Sequence, residues 1–148
     1  MFISLGLLTP EDEEKPTMNH NNSKKFECQF TAVTINDSPA IMLKNLVGTT
    51  LGIWAAHGEG KFVFPYKESE YYIPAKYHHS SYPANPNGSQ YNAAMLTSKD
   101  GRHLVMMPHL ERSTFPWNWA HYPSDQNDEV SPWMLAFESA FSWLASKH

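Results

Sequence analysis

Two side chains in the sequence have the types and the spacing that acid–base chemistry needs, His109 and Glu111. If the backbone is extended there, residues two apart point to the same side, and the carboxylate lies beside the imidazole. A carboxylate in that place fixes the tautomer of the ring and stabilises the imidazolium, which is the base-and-orienter half of a nucleophilic triad. The competing interpretation is a chance His-x-Glu pair, and the spacing alone leaves both open.

The segments before this pair are predicted to present it at the end of a strand. Residues 91–97 and 102–107 are compatible with strands, and Asp100-Gly101 between them indicates a β-hairpin. Pro108 then ends the second strand, because proline cannot donate to a sheet ladder. The polar residues that follow are therefore expected at a strand end, where ligands bind in α/β sheets.

A second polar motif, His57-Gly58-Glu59-Gly60, follows an apolar run over residues 51–56 that is predicted to be a strand buried on both faces. The two glycines allow positive φ angles and a close approach of the backbone to a ligand, with His57 and Glu59 as polar groups. A tight hairpin into residues 61–64 explains the glycines equally well. Both interpretations stay open on the residues alone.

Cys28 is the single cysteine of the chain. It lies in an alternating segment in which Phe26 and Phe30 share its face, and this pattern predicts that the thiol faces the core. A reactive cysteine needs partial exposure and a neighbouring cation or base, so Cys28 is interpreted as a small hydrophobic residue. One cysteine also excludes an internal disulfide and a multi-cysteine metal site, and it suits a reducing cytoplasm.

The chain is predicted to close with an amphipathic helix over residues 132–146. Ser131 and Pro132 supply the helix start. One face is expected to bury the apolar residues that recur at helical spacing: Trp133, Phe137, Phe141 and Leu144. A shorter helix is predicted over residues 40–46, and residues 1–8 are interpreted as the end of another.

Length and composition limit the classes of protein that fit. The chain has 148 residues, enough for one ordinary core, and a single domain over residues 1–148 is predicted. The net charge of −4, with dispersed Lys and Arg, argues against binding to nucleic acid or to an anionic membrane. No stretch reads as a membrane span or an export signal. The adjacent His78 and His79 would point to opposite faces of a strand, so no metal site is predicted.

Four motifs together resemble the C-terminal part of the glutaminase domain of phosphoribosylformylglycinamidine synthases of the large, single-chain kind. They come in the order of that family and extend over nearly the whole chain: AHGEGK at residues 56–61, YPANPNGS at 82–89, DGR at 100–102 and MMPHLER at 106–112. The resemblance implies an α/β fold, with part of the flavodoxin-like sheet of a class I glutaminase, helices, β-hairpin insertions and a C-terminal helix. Leu110 departs from the family, which has a second proline there.

The resemblance also implies roles for residues of this chain. A cysteine thiolate attacks the side-chain amide of glutamine, His109 passes a proton to the leaving ammonia, and Glu111 orients His109. The glutamine pocket is expected to include four further residues: His57, Gly58, Glu59 and Asn87. In the family the nucleophile lies in a Cys-Asn-Gly-Cys-Gln run that would come just before Met1, so the isolated chain is expected to be inactive.

The expected partners follow from the same resemblance. Ammonia would pass to the rest of the synthase, where ATP and magnesium serve the conversion of formylglycinamide ribonucleotide to its amidine in cytoplasmic purine biosynthesis. This chain itself is expected to hold no cofactor. One alternative is a non-catalytic binding or structural module that docks on a partner, or on itself, through a free sheet edge. Another is a metal hydrolase in which both His-x-Glu pairs converge on one ion.

Overall fold

A sheet dominates the computed structural model, which describes residues 3–9 and 11–147 of the chain. The strands are β1 (Thr17–His20), β2 (Glu27–Ile35), β3 (Thr50–His57), β4 (Glu59–Val63), β5 (Tyr72–Tyr77), β6 (Ala93–Thr97), β7 (Leu104–Met106) and β8 (Pro108–His109). Six of them form one sheet in the order β7-β6-β5-β2-β3-β8, and β1 pairs with β4 in a second sheet. Every ladder among these strands is antiparallel.

Helical segments complete the architecture. The α-helix α1 (Met134–Ala145) lies near the C-terminus, as predicted. Short 3₁₀ helices connect the strands at Ile41–Leu46, Glu68–Glu70, Gln90–Asn92, Leu110–Arg112 and Pro116–Asn118. The α/β class and the C-terminal helix are therefore confirmed. No helix in the described part of the chain is long and apolar enough to cross a membrane.

The predicted hairpin at Asp100-Gly101 is confirmed and joins β6 to β7. The Ser98 amide closes the turn by donating to the His103 carbonyl over 3.0 Å. Gly101 has a φ of +70°, and a Cβ there would lie 1.8 Å from the Pro39 carbonyl oxygen. Only glycine fits both this conformation and this space. The turn therefore fixes where β7 begins, and β8 follows directly.

The main core lies on one face of β2 and β3 and is closed by α1. Trp133, which precedes α1, is fully buried, and its indole N–H donates to the Gly52 carbonyl of β3 over 2.8 Å. Alternate residues of the two strands belong to the same cluster: Val33, Ile35, Leu51 and Ile53. Burying aliphatic side chains of this size contributes about 1.5–3 kcal/mol each. This packing holds α1 against the sheet.

The buried face of α1 differs from the predicted one. Three of the four residues expected to be buried are exposed: Phe137, Phe141 and Leu144. The helix packs on Ile41–Leu46 through a face that carries the small residues Ala136 and Ser139. Small side chains allow a close approach of the two helices, and this contact, rather than the apolar spacing, decides which side of α1 faces inward.

Cys28 is exposed, so the prediction that its thiol faces the core is wrong. The buried residues of β2 are odd-numbered: Glu27, Thr31, Val33 and Ile35. The apolar C-terminal half of the strand makes the core contacts, and strict alternation carries that phase back to Cys28 on the opposite face. Phe30 shares this face and packs edge-on against Trp54, with ring centroids 5.2 Å apart.

Residues 3–8 form turns, with Gly6 at a φ of +70°, rather than the predicted helix end. Their apolar side chains still contribute to a second buried cluster: Ile3, Leu8, Phe62, Phe64, Tyr71, Ile73, Ala93 and Leu96. Residues 1 and 2 of the predicted segment lie outside the described residues.

Candidate active site

The Glu111 carboxylate lies beside the His109 imidazole, with 2.7 Å between Oε1 and Nδ1. His109 ends β8, opposite Trp54 of β3. Its side chain is 28% exposed, and that of Glu111 is 62% exposed. The chain leaves the strand at His109 and forms the 3₁₀ helix Leu110–Arg112, so a turn brings the two side chains together. The extended backbone assumed for this pair is therefore wrong, although the side chains meet.

The second ring nitrogen of His109, Nε2, faces the Ala56 carbonyl oxygen at 3.4 Å. When Nδ1–H donates to Glu111, the neutral ring carries its lone pair on Nε2, which can accept a proton. The resulting Nε2–H would then have the Ala56 carbonyl as a partner. Arg112 adds a cation, with its Nε 3.8 Å from Glu111 Oε1. This arrangement suits a group that takes up a proton and gives it away.

His57, the last residue of β3, is only 7% exposed. Burial lowers the pKa of its imidazole because the charged form loses its water, and nearby His109 acts in the same direction. The backbone of His57 and the Glu27 carboxylate offset part of this pKa change. Neither ring nitrogen has a hydrogen-bond partner among the described residues. His57 is therefore a packed imidazole for which the neutral form is favoured.

Glu27 stands directly opposite His57 in the β2–β3 ladder and is 9% exposed. Its Oε1 has no hydrogen-bond partner within the described chain. Asn21 lies against the same strand end, where its Nδ2 donates to the His57 carbonyl over 2.7 Å and to the Lys25 carbonyl over 2.9 Å. The sequence analysis did not identify Glu27 as a buried polar residue. The available signal was the phase of β2, which places Glu27 on the face of the core.

The glycines of the second motif do not adopt the expected positive φ angles, which occur at other glycines. Gly60 instead makes room for the imidazole of His57, since a Cβ there would lie 2.6 Å from Nδ1. At Gly58 a Cβ would meet only Phe26, at 3.9 Å. The hairpin interpretation is also wrong, because β4 pairs with β1 and not with β3.

Glu59 lies in different surroundings from His57. Its side chain is 68% exposed, and its Oε1 lies 3.4 Å from Nε2 of His20 on β1. An exposed pair of this kind contributes little to stability. No hydrogen bond or ion pair joins Glu59 to His109 within the described chain, so its place in a glutamine pocket stays a prediction.

Asn87 is fully buried, and its amide is used within the protein. Its Nδ2 donates to the Tyr77 hydroxyl over 3.0 Å, and its Oδ1 accepts from the Ser89 N–H and hydroxyl over 3.0 and 2.7 Å. Gly88 has a φ of +74°, and a Cβ there would lie 2.0 Å from Asn22 Nδ2. These contacts order the loop. A role for Asn87 toward glutamine also stays a prediction.

The two His-x-Glu pairs do not converge. Within residues 3–9 and 11–147, no group of three or more His, Cys, Asp or Glu side chains is arranged to hold a metal ion. The geometry that a metal hydrolase requires is therefore not present in that part of the chain. What the fold does bring together is the pair His109 and Glu111, the carbonyl of Ala56, and His57 as an electrostatic neighbour.

This geometry is found in a chain whose residues 1–144 match the family model of the CobB/CobQ-like glutamine amidotransferase domain. The chain belongs to this family. Amide hydrolysis requires protonation of the leaving amine, and a histidine held by a carboxylate can supply that proton.

Known relatives of this amidotransferase domain are much longer proteins. A probable phosphoribosylformylglycinamidine synthase of Arabidopsis thaliana, chloroplastic/mitochondrial, is 44% identical over 150 residues, which is 91% of this chain and 11% of the relative. The phosphoribosylformylglycinamidine synthases of Dictyostelium discoideum and Homo sapiens are 39% and 37% identical over 92% and 85% of this chain. The chain spans 11% and 10% of those two relatives. The resemblance drawn from four motifs is thereby confirmed.

A solved structure supports the fold. A chain in the structure of PurLQS from Thermotoga maritima superposes with a TM-score of 0.71 at 22% sequence identity. The match covers 97% of this chain and 57% of that chain. At this identity the likeness concerns the fold, and it extends over almost the whole of this chain.

Proposed function

We propose that this chain is the base-bearing part of a glutaminase domain in a phosphoribosylformylglycinamidine synthase. The contact of 2.7 Å between His109 and Glu111, in a chain of the glutamine amidotransferase family, carries the proposal. The substrate would be glutamine, hydrolysed to glutamate and ammonia. The names of the relatives support the larger enzyme as the destination of this ammonia.

In this mechanism His109 moves protons and Glu111 holds its ring. A cysteine thiolate from another segment attacks the amide carbon of glutamine, and the imidazolium gives its Nε2 proton to the departing ammonia, which leaves a thioester. Nε2 then takes a proton from water, and the hydroxide cleaves the thioester to glutamate and thiolate. Glu111 accepts the Nδ1–H throughout and stabilises the charged ring.

Cys28 is not the nucleophile of this mechanism, although it is exposed. It pairs with Ala56 on β3, and His109 lies on β8 at the far side of β3. Neighbouring strands are about 4.8 Å apart, so β2 and β8 are separated by about 10 Å. Cys28 lies outside hydrogen-bond reach of His109, and we expect this chain alone not to hydrolyse glutamine.

The other participants would lie outside this chain. ATP and magnesium would serve the amidation of formylglycinamide ribonucleotide in the rest of the synthase, and this chain would hold no cofactor of its own. We propose the cytoplasm as the compartment, on the ground of the single cysteine. Self-association through the free edges at β7 and β8 would be a further contact.

The proposal is tested by a chimera in which this chain replaces the segment of the Arabidopsis relative that it matches. We expect synthase activity with glutamine, and loss of that activity in the His109→Asn variant. The same variant should keep its activity when an ammonium salt replaces glutamine, which shows that the synthase remains folded. His78→Asn, at an exposed histidine bonded to Thr34, is the matched control. Full glutamine-dependent activity in His109→Asn would overturn the proposal.

A further inference from the structure

We propose that Ser113 is a positioning residue for the pair His109 and Glu111, an inference that rests on the glutaminase function proposed above. Ser113 is fully buried and follows the 3₁₀ helix Leu110–Arg112 that carries Glu111. It does not touch a reacting group. Its influence would act through the backbone that positions His109 and Glu111, the dyad.

The hydroxyl of Ser113 joins the strand of the base to its neighbour. Oγ donates to the His109 carbonyl over 3.3 Å and accepts from the Trp54 N–H over 3.3 Å. Trp54 is the residue opposite His109 in the ladder between β3 and β8. A serine hydroxyl has one proton to donate, and here it is used on the backbone of the proposed base. The bridge forms at the point where the two-residue strand β8 ends.

The backbone of Ser113 holds the other end of the same turn. Its N–H donates to the Leu110 carbonyl over 2.9 Å, which closes the 3₁₀ helix. Its carbonyl accepts from the Trp119 indole N–H over 2.8 Å and from the Ser131 hydroxyl over 2.5 Å. Ser113 is therefore hydrogen-bonded to β3, to the Trp119 side chain and to Ser131 in the segment before α1.

This network determines where the Glu111 carboxylate lies. Glu111 is exposed, and apart from Arg112 and His109 its carboxylate makes no other ion pair or hydrogen bond within the described residues. Its position relative to Nδ1 of His109 is therefore set by the turn between them. Because Ser113 fastens that turn, removal of its hydroxyl should let the carboxylate drift from the ring. Displacements of about 1 Å at a catalytic group can cost about 100-fold in rate.

The first test is the ring tautomer of His109 in the whole chain, read from ¹⁵N chemical shifts by NMR and assigned with His109→Asn. In the parent chain we expect the neutral ring to carry its proton on Nδ1. Ser113→Ala should shift the population toward the Nε2–H tautomer, which has the Ala56 carbonyl as its partner. Ser139→Ala removes another buried serine hydroxyl, bonded within α1, and should leave the tautomer unchanged.

The second test uses the chimera with the Arabidopsis relative. Ser113→Ala should lower kcat with glutamine by about 10-fold while KM and the ammonium-dependent rate stay constant. If Ser113→Ala does not fold, Ser113→Cys keeps the shape with a weaker hydrogen-bonding group and should give a partial tautomer shift. An unchanged tautomer in a folded Ser113 variant overturns the inference. The NMR result needs no enzyme activity, so it decides the role of Ser113 even where His109→Asn disproves the glutaminase function.

Discussion

Two carboxylate–histidine pairs lie near the same end of β3, and they differ in almost every physical respect. Glu111 is exposed, His109 is partly exposed, and the two side chains share a contact of 2.7 Å. Glu27 and His57 are buried cross-strand neighbours, and neither ring nitrogen of His57 has a hydrogen-bond partner among the described residues. The same residue types therefore occur once as a hydrogen-bonded pair at the surface and once as a packed pair in the interior.

The difference teaches that environment, and not residue type, decides which histidine can carry a proton. His109 is partly exposed and has a carboxylate bonded to Nδ1. Burial disfavours the charged form of His57, as the lowered pKa indicates. Only the first pair is suited to repeated proton transfer, and the second is suited to shaping the end of the strand.

The largest effect that would separate the two pairs is expected on activity. In the chimera with the Arabidopsis relative, His109→Ala should lower kcat/KM for glutamine by about 10³-fold, because general acid–base groups contribute about 10²–10⁴-fold. His57→Gln should retain activity within about 10-fold, since His57 is packed rather than free to transfer protons. Steady-state kinetics with glutamine measures both. Equal losses in the two variants would break the contrast.

The next effect concerns stability at the buried pair. Gly60→Ala should destabilise the chain by about 1–3 kcal/mol, because the new Cβ would press on the His57 ring and overpacked sites cost this much. Gly58→Ala is the matched control, with Phe26 at 3.9 Å as its near neighbour, and should stay within about 0.5 kcal/mol. Urea unfolding of the isolated chain measures both. Similar midpoints for the two variants would show that His57 is not held in place by Gly60.

A pH dependence should follow from the lowered pKa of His57. The unfolded chain takes up a proton near pH 6.5 that the folded chain resists, so stability is complete above about pH 6.5 and decreases as the pH falls below it. The loss cannot exceed about 1.4 kcal/mol per pH unit for one proton. His57→Gln should remove this component. The measurement is the free energy of urea unfolding of the parent chain and of His57→Gln, each at about pH 7.5 and about pH 5.5. The same loss of stability in the two proteins on lowering the pH would contradict the prediction.

The smallest effect is expected from the accessible pair. Glu111→Gln should change the free energy of unfolding by less than about 1 kcal/mol, because exposed ion pairs contribute little to folding. Thermal or urea unfolding at neutral pH tests this, with Glu59→Gln at the exposed contact to His20 as a comparison. A loss as large as that of Gly60→Ala would mean that the dyad is part of the scaffold.

Features determined by a few consecutive residues could be predicted from the sequence. The Asp100-Gly101 hairpin depends on a glycine conformation, and the meeting of His109 with Glu111 depends on a single turn. The family could also be identified from the sequence, because each of its motifs is a run of consecutive residues. Even so, the extended backbone assumed between His109 and Glu111 was wrong, since alternation and a tight turn can both bring side chains two apart together.

Features that depend on tertiary partners could not be predicted in the same way. The alternation around Cys28 and the apolar spacing on α1 are each compatible with two opposite orientations of the element. Contacts in the C-terminal half of β2 and between α1 and Ile41–Leu46 determine the orientation observed. The burial of His57 depends on Glu27 across the ladder and on the missing side chain of Gly60. Ser113 has no local signal, because a serine shortly after a His-x-Glu pair is unremarkable until the ladder to Trp54 is known.

The turn from His109 to Ser113 has a consequence for how this domain can tolerate change. His109 and Glu111 belong to one turn and keep their relative positions when that turn moves as a whole. An insertion or deletion in a distant loop therefore leaves the two side chains in contact. The pair of Glu27 and His57 depends on strand register, and a slip of one residue in β2 would turn Glu27 to the other face. Insertions should therefore be tolerated in loops distant from the turn His109–Ser113 long before they are tolerated within β2.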